Sequence, residues 1–136
     1  MARFTKSQRL LTGRDFDQVL DRPGTKVVCP DFVLVASLKK DQLPISRLGL
    51  IVSGKVGNAV TRNKIKRSIR SVFRENLSLS QELAGRDLVV IARPAIVMKN
   101  GRLKDNIQDR FLLCSERLLK RFASKSELIS QGTETH

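Results

Sequence analysis

A four-stranded sheet with a layer of helices, in the order α-β-β-β-α-β-α, is the architecture this sequence predicts. Three observations carry it. Residues 87–92, Asp-Leu-Val-Val-Ile-Ala, are a run of strand length, apolar after its first residue, the pattern of a central strand covered on both faces. Two more extended segments, 32–38 and 47–52, lie ahead of it and are rich in Val, Leu and Ile. Two other stretches repeat apolar residues at helical spacing: Ile65, Ile69, Val72 and Phe73, then Ile107, Phe111, Cys114, Leu118 and Phe122.

Taken along the chain, the first helix opens at Thr12-Gly13-Arg14-Asp15-Phe16. Thr12 is its candidate cap, and Phe16, Val19 and Leu20 are its apolar stripe. Arg22-Pro23-Gly24 ends it, since proline and glycine punctuate a turn. Val27-Val28-Cys29 is a short strand that Pro30 interrupts, which suits an edge or a bend. Strands at 32–38 and 47–52 follow, separated by a polar loop from Lys39 to Ser46 that contains Pro44. The second helix starts near Asn58 or Thr61 and the last one runs from Leu103. Residues 1–122 read as a single domain, with 123–136 a polar, flexible tail; no repeat or interdomain linker is visible.

Charge narrows the function. Across 136 residues, 26 Lys and Arg stand against 13 Asp and Glu, giving a formal net charge of +13. Such an excess implies a polyanionic partner, because each neutralised phosphate releases condensed counterions. No apolar run approaches the roughly 18–20 residues that span a bilayer. The basic N-terminus lacks an apolar stretch followed by a small-residue cleavage site, so it is not a signal peptide. The sequence therefore predicts a cytoplasmic protein with no membrane partner. Cys29 and Cys114 stand far apart without a CxxC or histidine partner and read as reduced core residues.

The positive charge is densest between Gly54 and Asn76. That segment holds Lys55, Arg62, Lys64, Lys66, Arg67, Arg70 and Arg74 against the single acid Glu75. Asn63, Lys66, Arg67, Arg70 and Arg74 fall opposite the apolar stripe. An ordinary exposed helix alternates sign at i,i+4; this one does not. Arginine also outnumbers lysine there, and its planar fork suits bidentate phosphate contacts. Arg62 projects between Ile69 and Phe73, so it either sits in the first turn pointing off the helix end or precedes the helix.

Other motifs carry less. Gly49 to Lys55 spells GxxxxGK, but Val56 stands where a magnesium-binding hydroxyl is needed and the middle residues are strand-like, so no nucleotide cofactor is expected. Gly54-Lys55-Val56-Gly57 spells the GxxG of KH domains, yet a strand precedes it. A strand-to-helix turn using glycine's freedom at positive φ is the favoured reading, with a KH-like or ribosomal RNA-binding protein as runner-up. Asp15, Asp17 and Asp21 read as solvated helix charges, and the one histidine is the last residue, His136. No set of side chains resembles a catalytic centre, which favours a binder over a self-sufficient nuclease.

Gly57 to Arg74, GNAVTRNKIKRSIRSVFR, resembles the signature of the bacterial ribonuclease P protein subunit. Arg9-Leu10-Leu11 with Asp15-Phe16, the 47–53 strand and the 87–93 strand resemble that family in the same order, from about residue 7 to about 120. The resemblance implies an α+β two-layer sandwich of the ribosomal protein S5 domain 2-like type, with a left-handed βαβ crossover through the basic helix. It implies removal of the 5′ leader from precursor tRNA, with hydrolysis performed by a magnesium-dependent RNA subunit and no catalytic side chain on the protein. The partners implied are ribonuclease P RNA and precursor tRNA. By position, Arg62, Asn63, Lys64, Lys66, Arg67, Arg70 and Arg74 would face the catalytic RNA, with Lys55 beside them. A cleft between the first helix and the sheet would take the leader. Phe16 matches a cleft aromatic there, with an ordinary core residue as the alternative; Leu20 and Val35 stand where members often carry aromatics. Aliphatic residues give apolar contact but little of the ~1–3 kcal/mol per base that stacking supplies.

Overall fold

The computed structural model describes residues 13–21, 23–37, 47–76, 82–83 and 86–134, with side chains as far as Phe122. Helix α1 (Gly13–Asp21) leads into strands β1 (Pro23–Val28), β2 (Phe32–Ser37) and β3 (Arg47–Ile51). Helix α2 (Ala59–Glu75), strand β4 (Asp87–Ala92), a 3₁₀ turn (Pro94–Ile96) and helix α3 (Ile107–Glu134) complete the chain. This is the expected α-β-β-β-α-β-α order. Thr12, the N-terminal segment and the Lys39–Ser46 loop lie outside the described residues.

The sheet runs β1-β2-β4-β3. Pairing is antiparallel for β1 with β2 and for β2 with β4, and parallel for β3 with β4. Strand β4 is thus internal, as its apolar run requires, and only Ile91 in it is not fully buried. A parallel pair cannot close through a hairpin, so the chain must cross between β3 and β4, and α2 is that crossover.

Alternation along the strands divides the core. Phe32, Leu34 and Ala36 of β2 and Leu88, Val90 and Ala92 of β4 join the larger cluster, with Ile65, Ile69, Val72 and Phe73 of α2 and Ile107, Phe111, Cys114 and Leu118 of α3. The intervening Val35 and Val89 pack instead with Val19 of α1, and Phe16, Val33, Ile51 and Ile91 lie against them. The sheet with α2 and α3 makes the two-layer sandwich, and the short α1 crosses the second face. In the larger cluster, Phe32 and Phe111 meet edge to face at 5.9 Å between ring centroids.

Polar fastenings set the strand ends. Arg47 donates two hydrogen bonds to Asp87, 2.8 and 2.7 Å, directly across the β3–β4 register. Asp87 is almost fully buried, and its backbone N–H donates to Ser37 Oγ. Arg86 donates to the Ser37 carbonyl and stacks on Phe122 at 4.3 Å. Burial lowers the Arg86 pKa from its ordinary value.

Three expectations are corrected. Helix α3 starts at Ile107, and Leu103 forms a bridge with Val97 in the connection before it. Cys29 and Cys114 are paired in a disulfide, where the sequence predicts separate reduced thiols. Their 85-residue separation hides that the β1–β2 corner and α3 converge. The glycines of the 54–57 turn do not use positive φ, which among described glycines occurs only at Gly101. The helical backbone of α3 continues to Glu134, past the end of the apolar repeat at Phe122.

Candidate nucleic-acid interface

Helix α2 begins where the turn from β3 closes. Val56 N–H donates to the Ser53 carbonyl and its side chain is buried, which anchors the turn. Asn58 caps the helix: its Oδ1 accepts from the Thr61 N–H at 2.9 Å, satisfying one of the orphan donors of the first turn. Gly57 sits in a close approach to Thr61. A Cβ at that glycine would lie 3.1 Å from both Cβ and Cγ2 of Thr61. The helix exit is closed by the Asn76 N–H donating to the Val72 carbonyl, with Arg74 favourably placed near the C-terminal dipole.

Ile65, Ile69, Val72 and Phe73 are buried, and they fix which side of α2 faces outward. On that outward side Asn63, Lys64 and Arg67 are exposed, and Lys66, Arg70 and Arg74 are half-buried. Gln108 of α3 donates to the Ser68 carbonyl, which helps hold the rotation of α2. From Asn63 to Arg74 the row extends about 16 Å at 1.5 Å per residue. Among the described residues, Lys55, Lys64, Lys66 and Arg67 make no ion pair, and the contact of Arg74 with Glu75 is long at 3.9 Å. Lys64, Lys66 and Arg67, without acidic partners among the described residues, make this side of the helix electropositive.

Arg62 sits in the first turn of α2, and its backbone N–H donates to the Asn58 carbonyl. Its side chain is half-buried, with Nε enclosed and lacking a hydrogen-bond partner among the described residues. The structure thus puts Arg62 within the helix rather than before it. Lys55 lies on the preceding turn and is exposed.

The three residues that the resemblance assigns to a leader cleft separate by depth. Leu20 on α1 is 39% exposed, Phe16 is half-buried against the Val19–Val35–Val89 cluster, and Val35 is 3% exposed. Val35 therefore shapes the floor beneath α1, whereas Leu20 and part of Phe16 reach the surface.

Sequence reasoning missed a second group of cations, at the corner between β1 and β2. Asp31 is buried there and accepts from Lys104 Nζ at 2.9 Å and Arg110 Nη1 at 3.0 Å. Arg93 donates to the Cys29 carbonyl, and Arg117 Nη1 lies 3.9 Å from Cys29 Sγ. These residues are scattered from 29 to 117, so no local pattern announces them. An acid, Asp31, set between Pro30 and the apolar run that follows is the single signal that could have prompted a search for partners. Among the described residues no three His, Cys, Asp or Glu side chains gather into a metal-binding group. No described helix is long and apolar enough to cross a membrane.

The fold and this face define a small basic α/β protein with a cationic helix at its surface. Comparison with known proteins identifies which. The Ribonuclease P family model matches residues 4–113. The ribonuclease P protein component of Ectopseudomonas mendocina is 38% identical over 132 residues, covering 96% of this chain and 92% of that one. That of Pseudomonas entomophila is 34% identical, covering 98% and 95%. Among solved structures, the RNase P protein of Staphylococcus aureus superposes with a TM-score of 0.64 at 32% identity, covering 85% of this chain and 94% of that one. That of Thermotoga maritima gives 0.65 at 31%, covering 79% and 96%. The chain belongs to the ribonuclease P protein family.

Proposed function

We propose that this protein is the protein component of ribonuclease P, acting in tRNA processing as the partner of ribonuclease P RNA. The observation that carries the reading is the outward face of α2: a capped helix on which Lys64, Lys66 and Arg67 have no acidic partner among the described residues. Arg62, Asn63, Lys64, Lys66, Arg67, Arg70 and Arg74, with Lys55 at the turn, neutralise phosphates of the catalytic RNA and so let two RNA chains approach one another. The groove between α1 and the sheet receives the 5′ leader of precursor tRNA. Phe16 supplies a partial ring face, Leu20 apolar contact, and Val35 the floor. Hydrolysis belongs to the RNA subunit with its magnesium ions, and no protein side chain is assigned a chemical step. The work takes place in the cytoplasm, where tRNA precursors are made.

Reconstitution tests this. Ribonuclease P RNA from a related bacterium, precursor tRNA and the protein are combined at low magnesium. Correct 5′ cleavage accelerated only when both RNA and protein are present is the expected result. A protein that binds the RNA tightly without accelerating cleavage, with a cognate RNA tried, would overturn the assignment.

A further inference from the structure

The corner that holds Asp31 also holds both cysteines, and nothing in the RNA-binding role uses them. Cys29 follows β1 and Cys114 lies on α3, and their Cα atoms are 6.2 Å apart, inside the span a disulfide bridges. Both line a surface cavity of about 220 Å³ whose wall includes Asp31, Phe32, Arg110, Leu113 and Arg117. Cys29 is 7% exposed and Cys114 1% exposed, so the cavity leads to Cys29 first. The Arg117 guanidinium, 3.9 Å from Cys29 Sγ, has no acidic partner among the described residues. A cation at that distance favours the thiolate, the nucleophilic form of cysteine. Asp31 is already engaged by Lys104 and Arg110, so the local balance around the cavity is cationic.

We propose that the Cys29–Cys114 disulfide is reversible, made from the dithiol by exchange with a small anionic disulfide that enters this cavity. The Cys29 thiolate attacks one sulfur of the incoming disulfide RSSR, forming a Cys29–SR mixed disulfide and releasing RS⁻. That thiolate takes the proton from the Cys114 thiol and leaves as RSH. The Cys114 thiolate then attacks Cys29 Sγ and expels the second RS⁻, which is protonated by solvent. Two protein thiols are oxidised to one disulfide, and RSSR is reduced to two RSH. Small dithiols reverse the sequence. In a reducing compartment such a bond is transient, which makes it a sensor rather than a fixed staple. Arg110 and Arg117 select an anionic reagent over a cationic one.

The consequence is mechanical. The bond fastens the β1–β2 corner to α3, which packs on α2 through the shared core and the Gln108–Ser68 contact. The cationic face of α2 lies on another element, so RNA affinity at moderate temperature does not depend on the bond. Resistance to unfolding does.

Full-length protein, reduced and freed of reductant, is treated with oxidised glutathione and followed by intact mass and alkylation. The expected product is a monomer 2 mass units lighter than the dithiol with no alkylatable thiol, returned to two thiols by dithiothreitol without denaturant. Oxidation is expected to raise the unfolding temperature by roughly 5–10 °C, given the long loop closed. Cys114→Ser is expected to stop at the glutathione adduct, without that rise. Arg117→Gln is expected to slow the first exchange roughly tenfold with oxidised glutathione and little with cationic cystamine. Two unreacted thiols, or a persistent glutathione adduct in the unaltered protein, would overturn the proposal. Faster reaction with cystamine than with oxidised glutathione would overturn the anionic class of reagent. Each readout is independent of RNA cleavage, so failure here leaves the ribonuclease P assignment standing.

Discussion

Helix α2 and the β1–β2 corner both concentrate arginine and lysine, but they spend the charge differently. At the corner, Asp31 is buried and two cations close on it within 3.0 Å, with a third cation, Arg93, fastened to a backbone carbonyl. On α2 and the turn before it, Lys55, Lys64, Lys66 and Arg67 have no acidic partner among the described residues. Cations that meet buried acids hold a fold together, because leaving either partner unpaired costs its desolvation. Cations left facing water repel one another and contribute nothing to the fold. Their position on a helix held by Asn58, Phe73 and Gln108 is the feature on which the proposed RNA interface rests.

The largest effect expected in breaking this contrast is at the corner. Asp31→Asn strands Lys104 and Arg110 beside a neutral group, and is expected to lower unfolding free energy by about 2–4 kcal/mol in urea denaturation. RNA affinity of the folded fraction should stay within twofold. A matched pair then sharpens the comparison. Arg67→Gln is expected to weaken RNA binding roughly three- to tenfold with no loss of stability, and to make the log–log salt slope shallower by about 1. Arg110→Gln should do the reverse, lowering the denaturation midpoint and sparing affinity; equal losses of affinity in the two variants would erase the distinction. Asn58→Ala removes the cap from the helix that carries the charge and is expected to cost about 1 kcal/mol. Gly57→Ala should cost somewhat less, since only Thr61 must give way to the new Cβ. Both belong between the regions: structural changes whose effect on RNA binding follows from fraying of the first turn of α2.

Much of this was legible beforehand. The period of Ile65, Ile69, Val72 and Phe73 placed the buried side of α2, and by subtraction its cationic side. The unbroken run from Leu88 to Ala92 marked an internal strand, and β4 is one. Both are local signals, in which neighbours along the chain become neighbours on a face. The turn glycines show where local reasoning slipped. Sequence permits two uses of glycine, unusual φ or close approach, and Gly57 serves the second because Thr61 folds back against it.

From the chain alone came the element order, the buried and exposed sides of α2, the cationic residues on it and the family they resemble, because periodicity and charge are properties of neighbouring residues. Tertiary structure alone decided that β4 separates β2 from β3, that α1 takes the face opposite α2 and α3, and that Val35 lies beneath α1. It also brought Asp31 to Lys104 and Arg110, and Cys29 to Cys114. Those partners are 73 to 85 residues apart in sequence. No pattern of 2 or 3.6 residues reaches that far; only the sheet order and the path of α3 across it bring such groups together.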